Sequence, residues 1–124
     1  MFEPTFDADT RFYWEGTRAD ELLAQRCTPC GTLRHPPAPA CPACRSLEWT
    51  TEPTPNRGTL HSVVKVHHPP SPFQDSPYLI CLVDLAPGVR VATNLRDCEF
   101  EDATIGMDVE LFFEPAGEYQ LPQF

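Results

Sequence analysis

The chain has 124 residues, enough for one domain or two very small lobes. Its formal net charge of −9 argues against a general nucleic-acid binder and against docking on an anionic membrane, since both need basic surfaces. Its apolar runs are too short to cross a bilayer. The start, Met1-Phe2-Glu3, has neither the basic nor the apolar segment of a secretory signal, so we expect a cytoplasmic location.

Residues 1–20 predict a short N-terminal helical segment that ends at Gly16. Within it, Phe12, Tyr13 and Trp14 follow one another in a single helical turn, so they cannot all face the same core. Two interpretations stay open: packing against the next part of the chain, or anchoring of a partner protein. We therefore take the three aromatic residues as candidate interface residues.

Residues 21–50 contain the strongest chemical signal of the sequence. Cys27 and Cys30 form one C-x-x-C pair, and Cys41 and Cys44 form another after ten intervening residues. This spacing is typical of a zinc ribbon with rubredoxin-like knuckles, in which four thiolates surround one ion. Gly31 suits the tight turn after the first pair. We expect a structural Zn²⁺, because a fully ligated ion has no open position for water.

Other interpretations of the cysteines compete with zinc. Two disulfides fit poorly with a reducing compartment, and a redox pair would not need a twin. Iron stays open, because the sequence does not separate it well from zinc. Outside the ribbon, Cys81 is expected to be a small buried hydrophobe, and Cys98 lies beside carboxylates that disfavour a thiolate.

Residues 51–124 have the character of β structure, after a turn-rich stretch at 50–58 that indicates a linker. Strands are predicted over 59–67, 78–85, 89–95 and 107–113, with a short last strand at 121–124 and a helical turn within 97–104. This pattern predicts a C-terminal five-stranded OB-fold barrel. The chain is therefore expected to be mainly β, with an N-terminal helix, a four-cysteine zinc ribbon and the barrel in sequence.

The connection between the first two predicted barrel strands is long and rich in proline, and long ordered loops are often functional. It supplies two further candidate interface residues, His68 and Phe73. His67 and His68 with Asp75 could form an acid/base set, but neighbouring histidines on a strand point to opposite faces. Since no established catalytic motif is present either, we expect no catalytic residue in the chain.

The charge is unevenly distributed along the chain. Residues 1–62 carry six arginines against eight carboxylates, whereas residues 63–124 carry three basic residues against ten carboxylates. The two halves therefore have net charges of −2 and −7. An OB-fold surface for single-stranded nucleic acid needs a basic groove with stacking aromatics, so the acidic barrel disfavours that function.

Several short motifs occur in a fixed order: the aromatic turn ending in Glu15-Gly16, the two cysteine pairs with Pro36-Pro37 between them, Gly58-Thr59-Leu60, Ile105-Gly106-Met107, and Leu121-Pro122 at the close. This set covers nearly the whole chain. It resembles the zinc-ribbon/OB-fold acyl-CoA-associated family, formerly domain of unknown function thirty-five (DUF35). The four ribbon cysteines match that family position by position.

The resemblance implies a function that composition and spacing do not reach. Members typically serve beside thiolase-like enzymes or MaoC-type enoyl-CoA hydratases, some of them in steroid side-chain degradation, and similar archaeal proteins bridge two acyl-CoA enzymes. We therefore expect a non-catalytic accessory subunit of a hetero-oligomer, whose thiolase-like aldolase cleaves a β-hydroxy acyl-CoA and whose CoA ester could contact this chain. Alternatives are a thiolase or hydratase partner, a nucleic-acid-binding module, or a small stand-alone enzyme or acyl-CoA carrier using the loop at His67 and His68.

Overall fold

The computed structural model describes residues 3–70 and 77–124, and within them the protein is mainly β with one short helix, as predicted. The elements in chain order are α1 (Arg11–Arg18), β1 (Leu23–Cys27), β2 (Leu33–Arg34), β3 (Trp49–Pro53), β4 (Arg57–Val66), β5 (Tyr78–Ala86), β6 (Val89–Asn94), a 3₁₀ turn (Phe100–Asp102), β7 (Asp108–Glu110), β8 (Phe112–Ala116) and β9 (Tyr119–Gln123).

Helix α1 is preceded by a local turn in which the Asp7 carboxylate accepts the backbone N–H groups of Asp9 and Thr10 at 3.0 and 3.1 Å. The expectation that Gly16 ends the helix is wrong, because the helix continues to Arg18. Gly16 is instead buried against Leu23, and a Cβ atom at Gly16 would lie 2.8 Å from the Leu23 Cδ1 atom. The glycine therefore allows the helix to pack closely on the start of β1.

A three-stranded antiparallel sheet in the order β2-β1-β3 forms the ribbon. The predicted linker at 50–58 is wrong over its first part, because β3 pairs with β1 along its whole length from Trp49 opposite Cys27 to Pro53 opposite Leu23. The β-branched pair Thr50 and Thr51 suits an edge strand. Pro53 sits at the strand end, where a missing N–H disrupts no ladder.

The barrel consists of five strands. Four elements pair in the order β6-β5-β4-β7, and β8 pairs with β9. β7 and β8 are two halves of one strand, interrupted at Leu111, whose backbone N–H donates to the Asn56 carbonyl at 2.8 Å. The chain end after β9 joins β6, because the Phe124 N–H donates to the Asn94 carbonyl and its carbonyl accepts from the Arg96 N–H. These bonds close the barrel and confirm the predicted five-stranded OB-fold architecture.

One hydrophobic core connects the two lobes. Leu60, Val83 and Val91 are at most 2% exposed inside the barrel, and Leu22 and Ala24 at the start of the ribbon belong to the same cluster. The lobes also meet through a short parallel bridge between His35 and Val89. Ribbon and barrel therefore share buried apolar surface.

Helix α1 rests against both lobes. Its buried residue Thr17 accepts the backbone N–H of Gln120 through Oγ1 at 3.3 Å, and its carbonyl accepts the Gln120 side-chain amide at 3.1 Å. This places α1 on β9 at one side and on β1 at the other.

Candidate functional site

The two cysteine pairs lie on knuckles with the same backbone hydrogen bonds. In the first, the Gly31 N–H donates to the Cys27 carbonyl at 2.8 Å; in the second, the Arg45 N–H donates to the Cys41 carbonyl at 2.8 Å. Gly31 and Arg45 both have positive φ, at +78° and +67°. In the first knuckle the sequence indicates this left-handed position, because it holds a glycine. In the second knuckle the same position holds Arg45, which gives no such indication.

The four cysteine sulfurs converge, with every Sγ within 4.8 Å of the others. The Sγ atoms of Cys27 and Cys44 lie 3.5 Å apart, and those of Cys30 and Cys41 lie 3.6 Å apart. A tetrahedral ion with metal–sulfur bonds near ~2.3 Å requires sulfur–sulfur edges of about 3.8 Å. The sequence-predicted ligands are therefore brought together in the geometry of a four-thiolate metal site, with Cys27 and Cys41 buried and the other two exposed.

The protein already favours ionised sulfur at part of this cluster. Hydrogen bonds from the Thr32 hydroxyl and backbone N–H lower the pKa of Cys30 to about 6, and the backbone N–H groups of Cys44 and Ala43 lower the pKa of Cys41. At Cys27 the backbone N–H of Cys30 acts in the same direction, but burial and the neighbouring thiols raise the pKa to about 12. Four thiolates together thus need a cation to offset their repulsion.

An ion pair ties the first knuckle to β3. The Arg26 guanidinium donates to both carboxylate oxygens of Glu52, at 3.0 and 2.5 Å, and to the Gly31 carbonyl at 2.5 Å. The forked guanidinium geometry suits such a bidentate contact. Arg26, which lies on β1, therefore links that strand to β3 and to the turn of the first knuckle.

The aromatic turn of α1 packs largely within the protein. The Phe12 ring lies 4.8 Å from the Trp49 ring on β3, and the Tyr13 ring lies 5.4 Å from the His35 ring. Burial raises the pKa of Tyr13. Trp14 contacts Tyr13 edge-on and is only partly buried. Among the three candidates, the structure thus gives Phe12 and Tyr13 intramolecular partners on the ribbon.

The other candidates belong to the connection after β4. His67 and His68 are both exposed and lie beyond the end of β4, so the alternation of side chains along a strand does not separate them. Phe73 and Asp75 lie outside the described residues.

Sequence reasoning missed a buried polar network inside the ribbon. Arg34 is 4% exposed and donates through Nε to Gln25, which is 1% exposed, at 3.1 Å. Gln25 also accepts the Ala38 N–H at 2.8 Å, and Arg34 donates to the Ala38 carbonyl at 3.1 Å. This network braces the segment between the knuckles. To predict it from the sequence, one would need the register of β1 on β2, which places Gln25 opposite Arg34.

Two family models together cover most of the chain. The model described as "ChsH2, rubredoxin-like zinc ribbon domain" matches residues 14–50, and the model described as "ChsH2, C-terminal OB-fold domain" matches residues 51–114. No helix among the described residues is both long and apolar enough to cross a membrane.

Individual relatives agree with these matches. The chain is 40% identical, over 98% of its length, to "Probable enoyl-CoA hydratase alpha subunit" of Thermomonospora curvata. It is 39% identical, over 88% of its length, to "3-oxo-4,17-pregnadiene-20-carboxyl-CoA hydratase alpha subunit" of Mycobacterium tuberculosis. It spans only 38% and 35% of these two longer relatives.

A solved structure resembles the whole fold. The chain superposes on a chain of "Ltp2-ChsH2(DUF35) aldolase" with a TM-score of 0.91 and 39% identity, covering 98% of this chain and 96% of that one. The helix, the ribbon and the barrel therefore recur together in a chain of similar size.

Proposed function

The chain belongs to the DUF35 family of zinc-ribbon and OB-fold proteins, and on that premise we propose that it is a non-catalytic accessory subunit of an acyl-CoA-processing complex. The match to the Ltp2-ChsH2(DUF35) aldolase chain carries this proposal, because it extends over the full fold. The proposed partner is a thiolase-like aldolase. None of the six cysteines forms a disulfide, which suits a protein of the reducing cytoplasm.

The proposed reaction is a retro-aldol cleavage of a steroid side-chain β-hydroxy acyl-CoA. A base of the partner takes the β-hydroxyl proton, and the bond between the α and β carbons breaks. Its electron pair passes to the α carbon as a thioester enolate, which is then protonated. The products are a ketone and a shorter acyl-CoA. All of this chemistry lies in the partner, and the present chain supports its assembly.

The metal in this proposal is structural zinc. Cys27, Cys30, Cys41 and Cys44 would hold it, and their convergence within 4.8 Å supports the assignment. With all four corners taken by thiolates, the ion stiffens the ribbon and offers no site for substrate. Metal analysis of the purified chain should find one zinc per chain. One iron per chain instead would support the four-cysteine site but contradict the assignment of zinc.

For the interface, we propose that the exposed side of α1, together with the proline-rich connection after β4, docks on the partner. The candidate residues are Phe12, Tyr13, Trp14, His68 and Phe73. Trp14 is the best anchor of the helix, because Phe12 and Tyr13 also have partners on the ribbon. The ribbon would then present the helix in a fixed orientation.

CoA itself is expected to be held mainly by the partner. The C-terminal half of the chain carries a net charge of −7, which repels the phosphates of CoA. The outer face of β5 and β6 supports the same view. It presents Ile80 and Leu82 on β5, with Ala92 opposite Leu82. Arg90 lies on the same face of β6 but is paired with Asp84 at 2.6 Å, whereas a nucleic-acid-binding barrel would present free basic residues and stacking aromatics there.

The first experiment is capture from the native host with a tagged chain, followed by reconstitution. We expect a thiolase-like subunit at a one-to-one ratio, and aldolase turnover of a β-hydroxy acyl-CoA only when both chains are present. A chain that purifies alone, or turnover by the chain without a partner, would overturn the proposal. A MaoC-type hydratase at the same ratio would support the second candidate, which the names of the two hydratase relatives favour.

The helix interface has its own test. Trp14→Ala and Phe73→Ala, made separately, should each weaken binding of the captured enzyme, by about tenfold for a central aromatic anchor. Leu47→Ala is the matched control, because Leu47 is 72% exposed on the ribbon and lies outside the proposed interface. If both aromatic variants bind like the control, the interface lies elsewhere on the chain.

A further inference from the structure

Two clefts adjoin on the side of the barrel where β6 ends and the strand β7–β8 is interrupted. Their volumes are about 570 Å³ and about 450 Å³, and residues 95–98 form a wall shared by both. We refer to the pair as the 95–98 groove. It takes no part in the metal centre, and helix α1 contributes no lining residue to it.

Apolar side chains that solvent reaches lie among the polar side chains that line the groove. Tyr78, Leu79 and Phe100 line the larger cleft, and Leu111 and Phe112 line the smaller one. Phe100 is 38% exposed and Phe112 is 40% exposed, one in each cleft. Large apolar side chains that remain exposed in adjoining recesses mark interaction sites more often than scattered surface ones.

The charge around this lining is negative. Five carboxylates line the groove against two cations, Lys65 and Arg96, which gives a net charge of −3. Both cations already face carboxylates: Lys65 Nζ lies 3.8 Å from Glu101, and Arg96 lies 3.1 Å from Glu114. Within the described part of the chain, Glu99 and Asp108 have no ion-pair partner. The five lining carboxylates are Asp97, Glu99, Asp108, Glu110 and Glu114.

We infer that the 95–98 groove docks a protein segment that presents apolar side chains flanked by lysine or arginine. The apolar side chains would pack against Phe100 in the larger cleft and against Phe112 in the smaller one, and the cations would face Glu99 and Asp108. This inference rests on the proposed function, because the segment belongs to the enzyme subunit of the complex. A CoA ester is the wrong occupant, since its phosphates would meet the net negative charge.

Charge reversal tests the electrostatic part. The double variant Glu99→Lys/Asp108→Lys is compared with Glu48→Lys/Glu118→Lys, which changes the net charge equally at exposed positions outside both clefts. The probe is the enzyme subunit that co-purifies with the wild-type chain, and the measurement is association kinetics at low ionic strength. We expect the groove variant to associate about tenfold more slowly, because steering charges act mainly on the association rate. The control variant should stay within about twofold of wild type.

Truncation tests the apolar part. Phe100→Ser and Phe112→Ser should each raise the dissociation rate about tenfold, as expected for buried interface anchors. Thermal unfolding of every variant, compared with wild type, separates these effects from misfolding. Dissociation rates that match wild type in both truncation variants would exclude the groove as a docking site.

The outcomes separate this inference from the proposed function. A wild-type chain that captures no enzyme subunit overturns both. A normal wild-type complex, with groove variants that bind like the controls, overturns the groove alone. Equal losses in the two charge-reversed pairs would mean a general charge effect and would also reject it. Binding of free CoA to the isolated wild-type chain, abolished by Phe100→Ser, would replace the protein segment with the cofactor.

Discussion

Gly88 shows how a single residue holds the ribbon against the barrel. It lies in the turn between β5 and β6 with φ of +81°, and its carbonyl accepts the His35 N–H at 3.2 Å. A Cβ atom at this position would lie 2.5 Å from the Leu33 carbonyl oxygen. Gly88→Ala should therefore combine backbone strain with a collision, and lower the free energy of unfolding by about 2–4 kcal/mol.

Gly106 is the matched control for that substitution. Its φ is +91°, but a Cβ atom there would meet nothing within 4 Å. Gly106→Ala should therefore cost about 1–2 kcal/mol from backbone strain alone. Chemical denaturation of both variants measures the difference. Equal losses would mean that the approach of Leu33 to Gly88 contributes nothing to stability.

His35 predicts a pH dependence of stability. Burial against the aromatic turn lowers its pKa from 6.5 to about 4. The unfolded chain therefore binds a proton at His35 between about pH 6.5 and 4 that the folded chain does not bind. Stability is full above this window and falls as the pH drops through it, by up to about 3 kcal/mol. His35→Gln should remove this part of the dependence.

Two measurements check the His35 prediction. An NMR titration should place the His35 pKa well below the ordinary value of 6.5. Denaturation at about pH 7 and about pH 5 should show a larger loss in the wild type than in His35→Gln. A loss of the same size in both would assign the acid sensitivity to other groups. Glu52 and Asp84 would not explain such a loss, because their arginine partners lower their pKa values and move their contribution to more acidic pH than this interval.

At the residue scale, the sequence predicted the metal-ligand cysteines, because their identification depends only on spacing along the chain. Cys27 and Cys30 belong together because two residues separate them, and the twin pair repeats the pattern. Arg34 and Gln25 could not be found in this way, since their burial depends on which strands pair. The same holds for Gly16, whose role is close packing against Leu23 rather than helix termination.

At the scale of elements, the attachment of α1 to β9 depends on one buried threonine. Thr17 Oγ1 donates to the Trp14 carbonyl at 2.7 Å and accepts the Gln120 N–H at 3.3 Å. Thr17→Val keeps the volume but leaves both of these partners without their hydrogen bond. It should lower stability by about 1–3 kcal/mol, the range for losing buried hydrogen bonds.

Thr17→Ser is the control for the Thr17→Val variant, because it keeps the hydroxyl group and removes only a methyl group. Tryptophan fluorescence reports this region, since Trp14 lies on α1 itself. The serine variant should retain more stability than the valine variant. The opposite order would show that packing, rather than the hydrogen bonds, attaches the helix to β9.

The elements also show where sequence patterns are informative. β5 and β6 were predicted almost to their ends, because each is a largely apolar run and the turn Pro87-Gly88 separates them. β3 was predicted as a linker, since proline and polar residues in an edge strand look like a turn. The break at Leu111 was also not predicted, because it arises where the chain turns from pairing with β4 to pairing with β9.

For the whole molecule, the ribbon and the barrel differ in charge and in the functional features that they carry. The ribbon contributes the metal ligands and most of the aromatic contacts of α1. The barrel carries a net charge of −7 in its half of the chain and contains the 95–98 groove. Because Leu22 and Ala24 join the core of the barrel, however, the two lobes should not unfold independently.

Metal removal tests this coupling. Cys27→Ser removes a buried ligand, and structural zinc supplies much of the folding free energy of a small lobe. We expect metal loss and a strongly lowered melting temperature. Because the core is shared, the barrel should melt together with the ribbon. Both tryptophans, Trp14 and Trp49, lie outside the barrel, so fluorescence follows α1 and the ribbon, while far-UV circular dichroism is dominated by the barrel strands.

In the wild type and in Cys27→Ser, the two signals should therefore give the same midpoint. Cys81→Ser is the control, because Cys81 is equally buried but belongs to the barrel core and not to the metal cluster. It should retain the metal and lose only about 1–3 kcal/mol by placing a hydroxyl group in an apolar site. Separate midpoints in Cys27→Ser, with the barrel melting near the wild-type temperature, would show that the shared core does not couple the lobes. Unchanged metal content in that variant would reject the four-cysteine site.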